Sequence, residues 1–73
     1  MQIAYRDGYI LVWVTEVGHK RLIDGQRAWW LCREAFKKYL PEWTYNDVTK
    51  RWIFDDTSVN REKLKAIRNT YFV

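Results

Sequence analysis

Cysteine and histidine are almost absent from this sequence. It contains one cysteine, Cys32, and one histidine, His19, among 73 residues. That is too few for a typical zinc site or for a nucleophile with its base and orienting group. The only adjacent carboxylates, Asp55 and Asp56, directly precede a predicted helix. Acidic side chains there interact favourably with the helix dipole, so we expect them to cap the helix and not to bind a metal ion. We therefore expect a protein that is not an enzyme and that binds no cofactor and no metal.

The single cysteine also bears on the cellular compartment. One cysteine cannot form an intramolecular disulfide, whereas small secreted domains usually depend on such crosslinks. Residues 1–7 lack the basic start and apolar run of a signal peptide. No stretch approaches the roughly 18 apolar residues of a membrane span. We therefore expect a cytoplasmic, intracellular protein that does not associate with a membrane.

Glycine is scarce too, and its positions exclude one kind of site. The three glycines, Gly8, Gly18 and Gly25, are isolated from one another. A phosphate-binding loop needs clustered glycines so that its backbone amides can surround the phosphate. The sequence therefore offers no such loop.

Aromatic residues, by contrast, are abundant. They make up 18% of the chain, with five Trp and five Tyr. A domain of this size buries only about 60% of its unfolded surface, and each buried aromatic removes roughly 150–250 Å² from water. The composition therefore predicts one compact domain over residues 1–73.

A β-hairpin is predicted at the start of the chain. Residues 3–5 and 9–14 are rich in β-branched and aromatic side chains, and Asp7-Gly8 between them is a strong turn signal. Both faces of the second strand are apolar, which indicates a central position in a sheet. After the turn at Gly18-His19, residues 20–23 are predicted to form a short third strand.

A second hairpin is predicted from residues 43–45 and 50–54. If the four residues 46–49 form its loop, Trp43 faces Trp52 across the strands, which is a favourable aromatic pair.

Two helices complete the prediction. The first runs from about Asp24, a plausible N-cap, to Leu40, and Pro41 helps to end it. Its apolar stripe at 100° per residue consists of Ala28, Cys32, Ala35, Phe36 and Tyr39.

The last helix is predicted from about Val59 to Tyr71, capped by Ser58 or Thr57. Leu64, Ile67 and Tyr71 are expected to face the core. The order is β-β-(β)-α-β-β-α, which predicts an α+β fold: an antiparallel sheet of two hairpins with both helices packed on one face.

The positive charge is concentrated in the helical segments. The chain has a net charge of +4 at pH 7. Residues 20–40 carry six basic and two acidic side chains, and residues 57–73 carry four basic and one acidic. Basic surfaces attract phosphates, although solvated helix faces commonly carry Lys and Arg without any such role.

Trp30 is the most informative single residue, because it falls on the polar face of the first helix. A large exposed aromatic points to base stacking or to a protein partner. It could instead be covered by residues 15–23 or engaged by Arg33. The predicted nucleic-acid contacts are Trp30 for stacking and, for phosphates, Arg33, Lys37, Lys50, Arg51, Arg61, Lys65 and Arg68.

Residues 45–54 have a distinctive pattern. Tyr45 and an amide residue are followed by two variable positions, then Thr49, two basic residues, Trp52 and Phe54. This run resembles the hallmark of the HARP domain, and the flanking strand and helices extend the resemblance over roughly residues 9–72. HARP domains accompany Swi/Snf-type annealing helicases and are implicated in recognising forked or single/double-strand DNA junctions. No ATPase lies within these 73 residues, and the N-terminal hairpin and Trp-rich helix depart from the family pattern. The resemblance implies a HARP-like DNA-structure binder.

The sequence therefore favours a small non-catalytic nucleic-acid-binding module, with single-stranded or branched DNA favoured over RNA, acting as a monomer or a weak homo-oligomer. The alternative is a protein-interaction module, such as a small regulator or inhibitor of a partner protein, because Trp and Arg are also interface hot-spot residues.

Overall fold

The structure is a computed structural model that describes residues 1–14 and 28–71. Four strands and two helices lie in those residues, in the predicted order apart from the strand expected at 20–23, which falls outside them. The predicted start of the first helix at Asp24 also falls outside the described residues. The elements are β1 Gln2–Arg6, β2 Tyr9–Trp13, α1 Ala28–Tyr39, β3 Thr44–Asn46, β4 Arg51–Asp55 and α2 Ser58–Tyr71.

The β1–β2 hairpin turns tightly at Asp7 and Gly8. Arg6 pairs with Tyr9, so only two residues form the loop. Asp7 has φ 52° and Gly8 has φ 83°, and two positive φ values in succession are typical of the turn that matches the twist of hairpin strands. The Asp-Gly pair suits this conformation because both residue types tolerate positive φ. The predicted first hairpin is confirmed.

All four strands form one antiparallel sheet in the order β1-β2-β4-β3. The inner strands β2 and β4 pair directly, with Ile10 opposite Phe54 and Val12 opposite Trp52. These four side chains are no more than 1% exposed. The prediction that the apolar strand β2 is central is therefore confirmed.

The loop of the β3–β4 hairpin lies one residue later than predicted, which changes the partner of each β4 residue by two positions. Tyr45, not Trp43, pairs with Trp52, and the loop is residues 47–50. Asn46 explains the shift, because its Oδ1 accepts hydrogen bonds from the backbone amides of Val48 (2.9 Å) and Thr49 (3.2 Å). Its own carbonyl accepts a bond from the Lys50 amide at 2.8 Å. Asn46 thus organises the loop while remaining in β3, so the predicted Trp43–Trp52 pair is wrong.

Both helices pack on the same face of the sheet. Phe36 of α1 packs edge-on against Trp52 and Phe54, at centroid distances of 5.2 and 5.1 Å. The Arg61 guanidinium of α2 lies 4.2 Å from the ring centroid of Tyr5, which shares this face of β1. Helix α1 therefore lies over β4 and β3, and α2 lies toward β1. The predicted α+β fold is confirmed. Neither helix has the length and apolar character needed to cross a membrane.

Tyr39, which belongs to the predicted apolar stripe, is not in the core. Tyr39 is the last residue of α1 and is 42% exposed. The next residue, Leu40, is buried instead, and its amide donates to the Phe36 carbonyl at 2.8 Å. The chain thus turns its leucine inward as the helix ends. The buried apolar residues are Met1, Ile10, Val12, Leu31, Cys32, Ala35, Phe36, Leu40, Trp52, Phe54, Leu64 and Ile67.

Thr57 caps helix α2. Its Oγ1 accepts a hydrogen bond from the Asn60 amide at 3.1 Å, which satisfies one of the amide groups left without a partner in the first helical turn. The Asn60 side chain donates to the Asp55 carbonyl at 2.9 Å and so connects the helix to the end of β4. Of the two caps that the sequence allowed, the structure selects Thr57.

Replacing Thr57 by Ala is expected to lower the free energy of unfolding by about 0.5–2 kcal/mol, because the Asn60 amide loses its acceptor. Urea denaturation followed by tryptophan fluorescence measures the change. Thr57→Ser keeps the hydroxyl and should lose much less, and Ser58→Ala serves as the matched neighbour. Equal losses for Thr57→Ala and Ser58→Ala would contradict this role.

Candidate nucleic-acid interface

The outer face of α1 presents a tryptophan with an arginine stacked beside it. Trp30 is 49% exposed, and the Arg33 guanidinium lies 5.1 Å from its ring centroid. Trp30 also meets Trp29 edge-on, with the two rings perpendicular and 5.7 Å apart. Lys37 follows Arg33 by four residues, on the same side of the helix, and is exposed. Trp30 is therefore exposed as predicted, and the cation–π contact with Arg33, which the sequence offered as an alternative to a ligand-binding role, is also present. The predicted cover by residues 15–23 lies outside the described residues.

Arg33 is only weakly engaged by a carboxylate. Its Nη1 lies 3.5 Å from Oε1 of Glu34, and the Glu34 side chain is 61% exposed. An ion pair in such an exposed position contributes little and is readily exchanged. The Arg33 guanidinium is therefore oriented mainly by the Trp30 ring.

A second tryptophan–arginine stack lies on the opposite face of the sheet. The Arg51 guanidinium is 4.3 Å from the ring centroid of Trp13. Val12 pairs with Trp52, and continuing this register by one residue places Trp13 opposite Arg51. Arg51 is adjacent to Trp52 in sequence, but successive residues of a strand point to opposite faces. Its aromatic partner is therefore Trp13, which the sequence interpretation did not include in the site.

The two stacks lie at the same end of the sheet. The Trp29 ring is 5.7 Å from that of Trp52, and its Nε1 donates to the Tyr45 hydroxyl at 3.1 Å. Trp29 therefore holds the start of α1 above the Tyr45–Trp52 pair, one residue from Arg51. We call this region the tryptophan end. It comprises Trp13, Trp29, Trp30, Arg33, Arg51 and the β3–β4 loop of residues 47–50.

Lys50 belongs to the tryptophan end as the last residue of the β3–β4 loop. It is exposed and has φ 59°, in the left-handed region that few non-glycine residues adopt. The hydrogen bond from its amide to the Asn46 carbonyl holds this conformation. The loop thus presents a lysine next to the Arg51 stack.

The basic residues of α2 lie elsewhere. Arg61 forms a two-pronged ion pair with Asp56, with Nε–Oδ1 at 2.5 Å and Nη2–Oδ2 at 2.8 Å, and it covers the Tyr5 ring. Its hydrogen bonds lower the pKa of the Asp56 carboxyl. Lys65 and Arg68 continue along the same side of α2 and are exposed. Tyr5 belongs to the edge strand β1, so Arg61, Lys65 and Arg68 lie toward the edge of the sheet away from α1. The eight predicted contacts therefore form two separate groups.

Cys32 is fully buried on the inner side of α1. Burial raises the pKa of its thiol to about 12, so it is protonated at neutral pH and is not activated as a nucleophile. Over residues 1–14 and 28–71, no group of three or more His, Cys, Asp or Glu side chains is arranged to hold a metal ion.

No protein-family model, curated protein or solved structure matches this chain. The resemblance to the HARP hallmark thus depends on the sequence pattern of residues 45–54, which form most of β3, the β3–β4 loop and most of β4.

Cys32 is expected to react with a thiol-specific disulfide reagent far more slowly in the native protein than in the denatured chain. Reaction requires an accessible thiolate, and the fold disfavours both access and ionisation. The rate of absorbance change at mildly alkaline pH, with and without denaturant, measures the protection. Similar rates under the two conditions would show that the thiol is not held in the core.

Proposed function

We propose that this protein is a small, non-catalytic nucleic-acid-binding module whose favoured ligand is single-stranded or branched DNA. The observation that supports it most is the half-exposed Trp30 ring with the Arg33 guanidinium beside it. An exposed indole offers a base a stacking surface, and a guanidinium beside it can pair with the adjoining phosphate.

Stacking on Trp30 would supply the main contact. Base–aromatic stacking contributes about 1–3 kcal/mol per base and tolerates any base, because every base has a π-face. Ring contact already restricts the Arg33 side chain, so less conformational entropy is lost when it meets a phosphate. Lys37, further along α1, and Lys50, in the β3–β4 loop, extend the positive surface on either side.

The contribution of the α2 residues should be unequal. Arg61 is engaged by Asp56 and Tyr5. To bind a phosphate, it would have to give up its charge-assisted hydrogen bonds to Asp56, so little free energy would be gained. Lys65 and Arg68 have no ion pair among the described residues. We expect them to act as secondary phosphate contacts for a longer ligand and Arg61 to contribute least.

The HARP resemblance supports DNA over RNA as the ligand. It covers the β3–β4 hairpin, which lies at the tryptophan end, and the family is implicated in recognising forked or single/double-strand junctions. We therefore include branched DNA among the proposed ligands. A cytoplasmic location fits the same proposal, because the one cysteine is a free buried thiol.

Protein binding is the second candidate function. Trp30 and Arg33 are of the residue types that dominate interface energetics, and the same exposed face of α1 could dock a protein. The two functions differ in their response to salt, because only binding to phosphates releases a condensed counterion layer.

Trp30→Ala is expected to weaken binding of a fluorescently labelled single-stranded DNA by about 5- to 150-fold, which corresponds to the loss of one stacked base. Fluorescence anisotropy measures the affinity. Tyr39→Ala is the matched control, because it also removes an exposed aromatic from α1, and it should bind like the wild type. Wild-type affinity should fall steeply between about 50 and 200 mM salt.

The proposal fails if the wild type binds no single-stranded, duplex or forked DNA and no RNA at about 50 mM salt, where phosphate contacts are strong. A stoichiometric protein partner bound with little salt dependence, and lost in Trp30→Ala, would favour the second function.

A further inference from the structure

The face of the sheet opposite the helices has its own aromatic and basic residues. Cross-strand pairing places Ala4, Leu11 and Ile53 in a row across β1, β2 and β4 on this face. Trp13 and Tyr9 lie at the two ends of β2 beside that row, and Tyr9 is 49% exposed. Both helices pack on the other side, and Ala4, Leu11, Trp13 and Ile53 are each half-buried. We call this surface the open face.

Charge distinguishes the two ends of the open face. Asp55 pairs with Tyr9 at one end, where Arg6 also lies and interacts with Asp7 at 3.7 Å. Arg51 stands at the other end, against Trp13, and the Lys50 backbone directly precedes it. Across residues 1–14 and 28–71, no carboxylate lies within ion-pairing distance of Arg51. The Trp13 end is therefore positive and aromatic, which complements a phosphate and a base.

We propose that a single strand bound at Trp30 continues around the tryptophan end and stacks a second base against the Trp13–Arg51 pair on the open face. This inference rests on the proposed function, and it specifies the ligand more narrowly. The two stacks face opposite sides of the sheet, so the strand backbone lies between them. A ligand that reaches both must bend around the β3–β4 loop, where Lys50 is positioned to meet its backbone.

Such a path selects an unpaired strand. Duplex DNA has a persistence length of about 150 base pairs, so a short duplex cannot turn around one end of a 73-residue domain. A single strand is flexible, and its unstacked bases can be held by aromatic rings in succession. At a branched structure, the bound segment is then an unpaired arm.

The planar stack of Arg51 is the element to test. A lysine keeps the charge but lacks the flat guanidinium that covers an aromatic ring. The experiment compares wild type, Arg51→Lys and Trp13→Ala in anisotropy titrations with oligothymidylates of increasing length. Arg6→Lys is the matched control, because Arg6 lies on the same face at the acidic end. Thermal unfolding of each variant checks that it folds.

Wild-type affinity is expected to rise sharply once the oligothymidylate is long enough to reach both stacks. Trp13→Ala should lose most of that rise, about 5- to 150-fold. Arg51→Lys should lose part of it, because the charge remains without the planar guanidinium, and both variants should lose much less with the short oligonucleotide. Arg6→Lys should retain the rise, and a duplex of the same length should show none. If Trp13→Ala does not fold, the Arg51→Lys series decides, because that substitution keeps a long, positively charged side chain at the first residue of β4.

Two results would overturn the inference while the proposed function stands. In one, Trp30-dependent binding is present but Arg51→Lys matches wild type at every length. In the other, the losses are equal for short and long oligothymidylates, which would place both tryptophans in one contact. Failure of the wild type to bind any oligonucleotide is a different result and counts against the proposed function itself.

Discussion

Trp52 is the side chain on which the rest of the structure depends. It is completely buried and lies within 5.0–5.7 Å, centroid to centroid, of the rings of Tyr45, Phe36 and Trp29. Its indole Nε1 has no acceptor among the described residues, which costs about 1–3 kcal/mol. Burying an indole removes roughly 150–250 Å² from water, which contributes about 4–6 kcal/mol at 25 cal/mol/Å². The apolar contribution is the larger one, so the ring stays in the core.

The position of Trp52 determines the candidate site on both faces of the sheet. On the helix side, it supports Trp29, which is hydrogen-bonded to Tyr45 and in turn supports the Trp30 ring. On the open side, the strand alternation that buries Trp52 directs Arg51 toward Trp13. The exposed residues of the site are thus held by buried ones.

Local signals in the sequence predicted much of the fold, and what they missed has one local cause and one non-local cause. Asp7-Gly8 and Thr57 act through hydrogen bonds and dihedral preferences within a few residues, so the first hairpin and the α2 cap were predictable. The second hairpin was displaced by one residue because the Asn46 side chain can bond to the loop amides from within the strand. The Trp13–Arg51 stack was missed because it depends on the β2–β4 register, which no short segment encodes.

The β2–β4 pairing also has a consequence for the order in which the protein folds. Each hairpin closes over a loop of two or four residues, and each helix forms from neighbouring residues, on microsecond timescales. Joining the hairpins requires β2 to find β4 with residues 14–50 intervening, and the entropy of closing so long a loop is lost before the central contacts form. The rate-limiting step of folding should therefore be the docking of two preformed hairpins along the strand that carries Trp52.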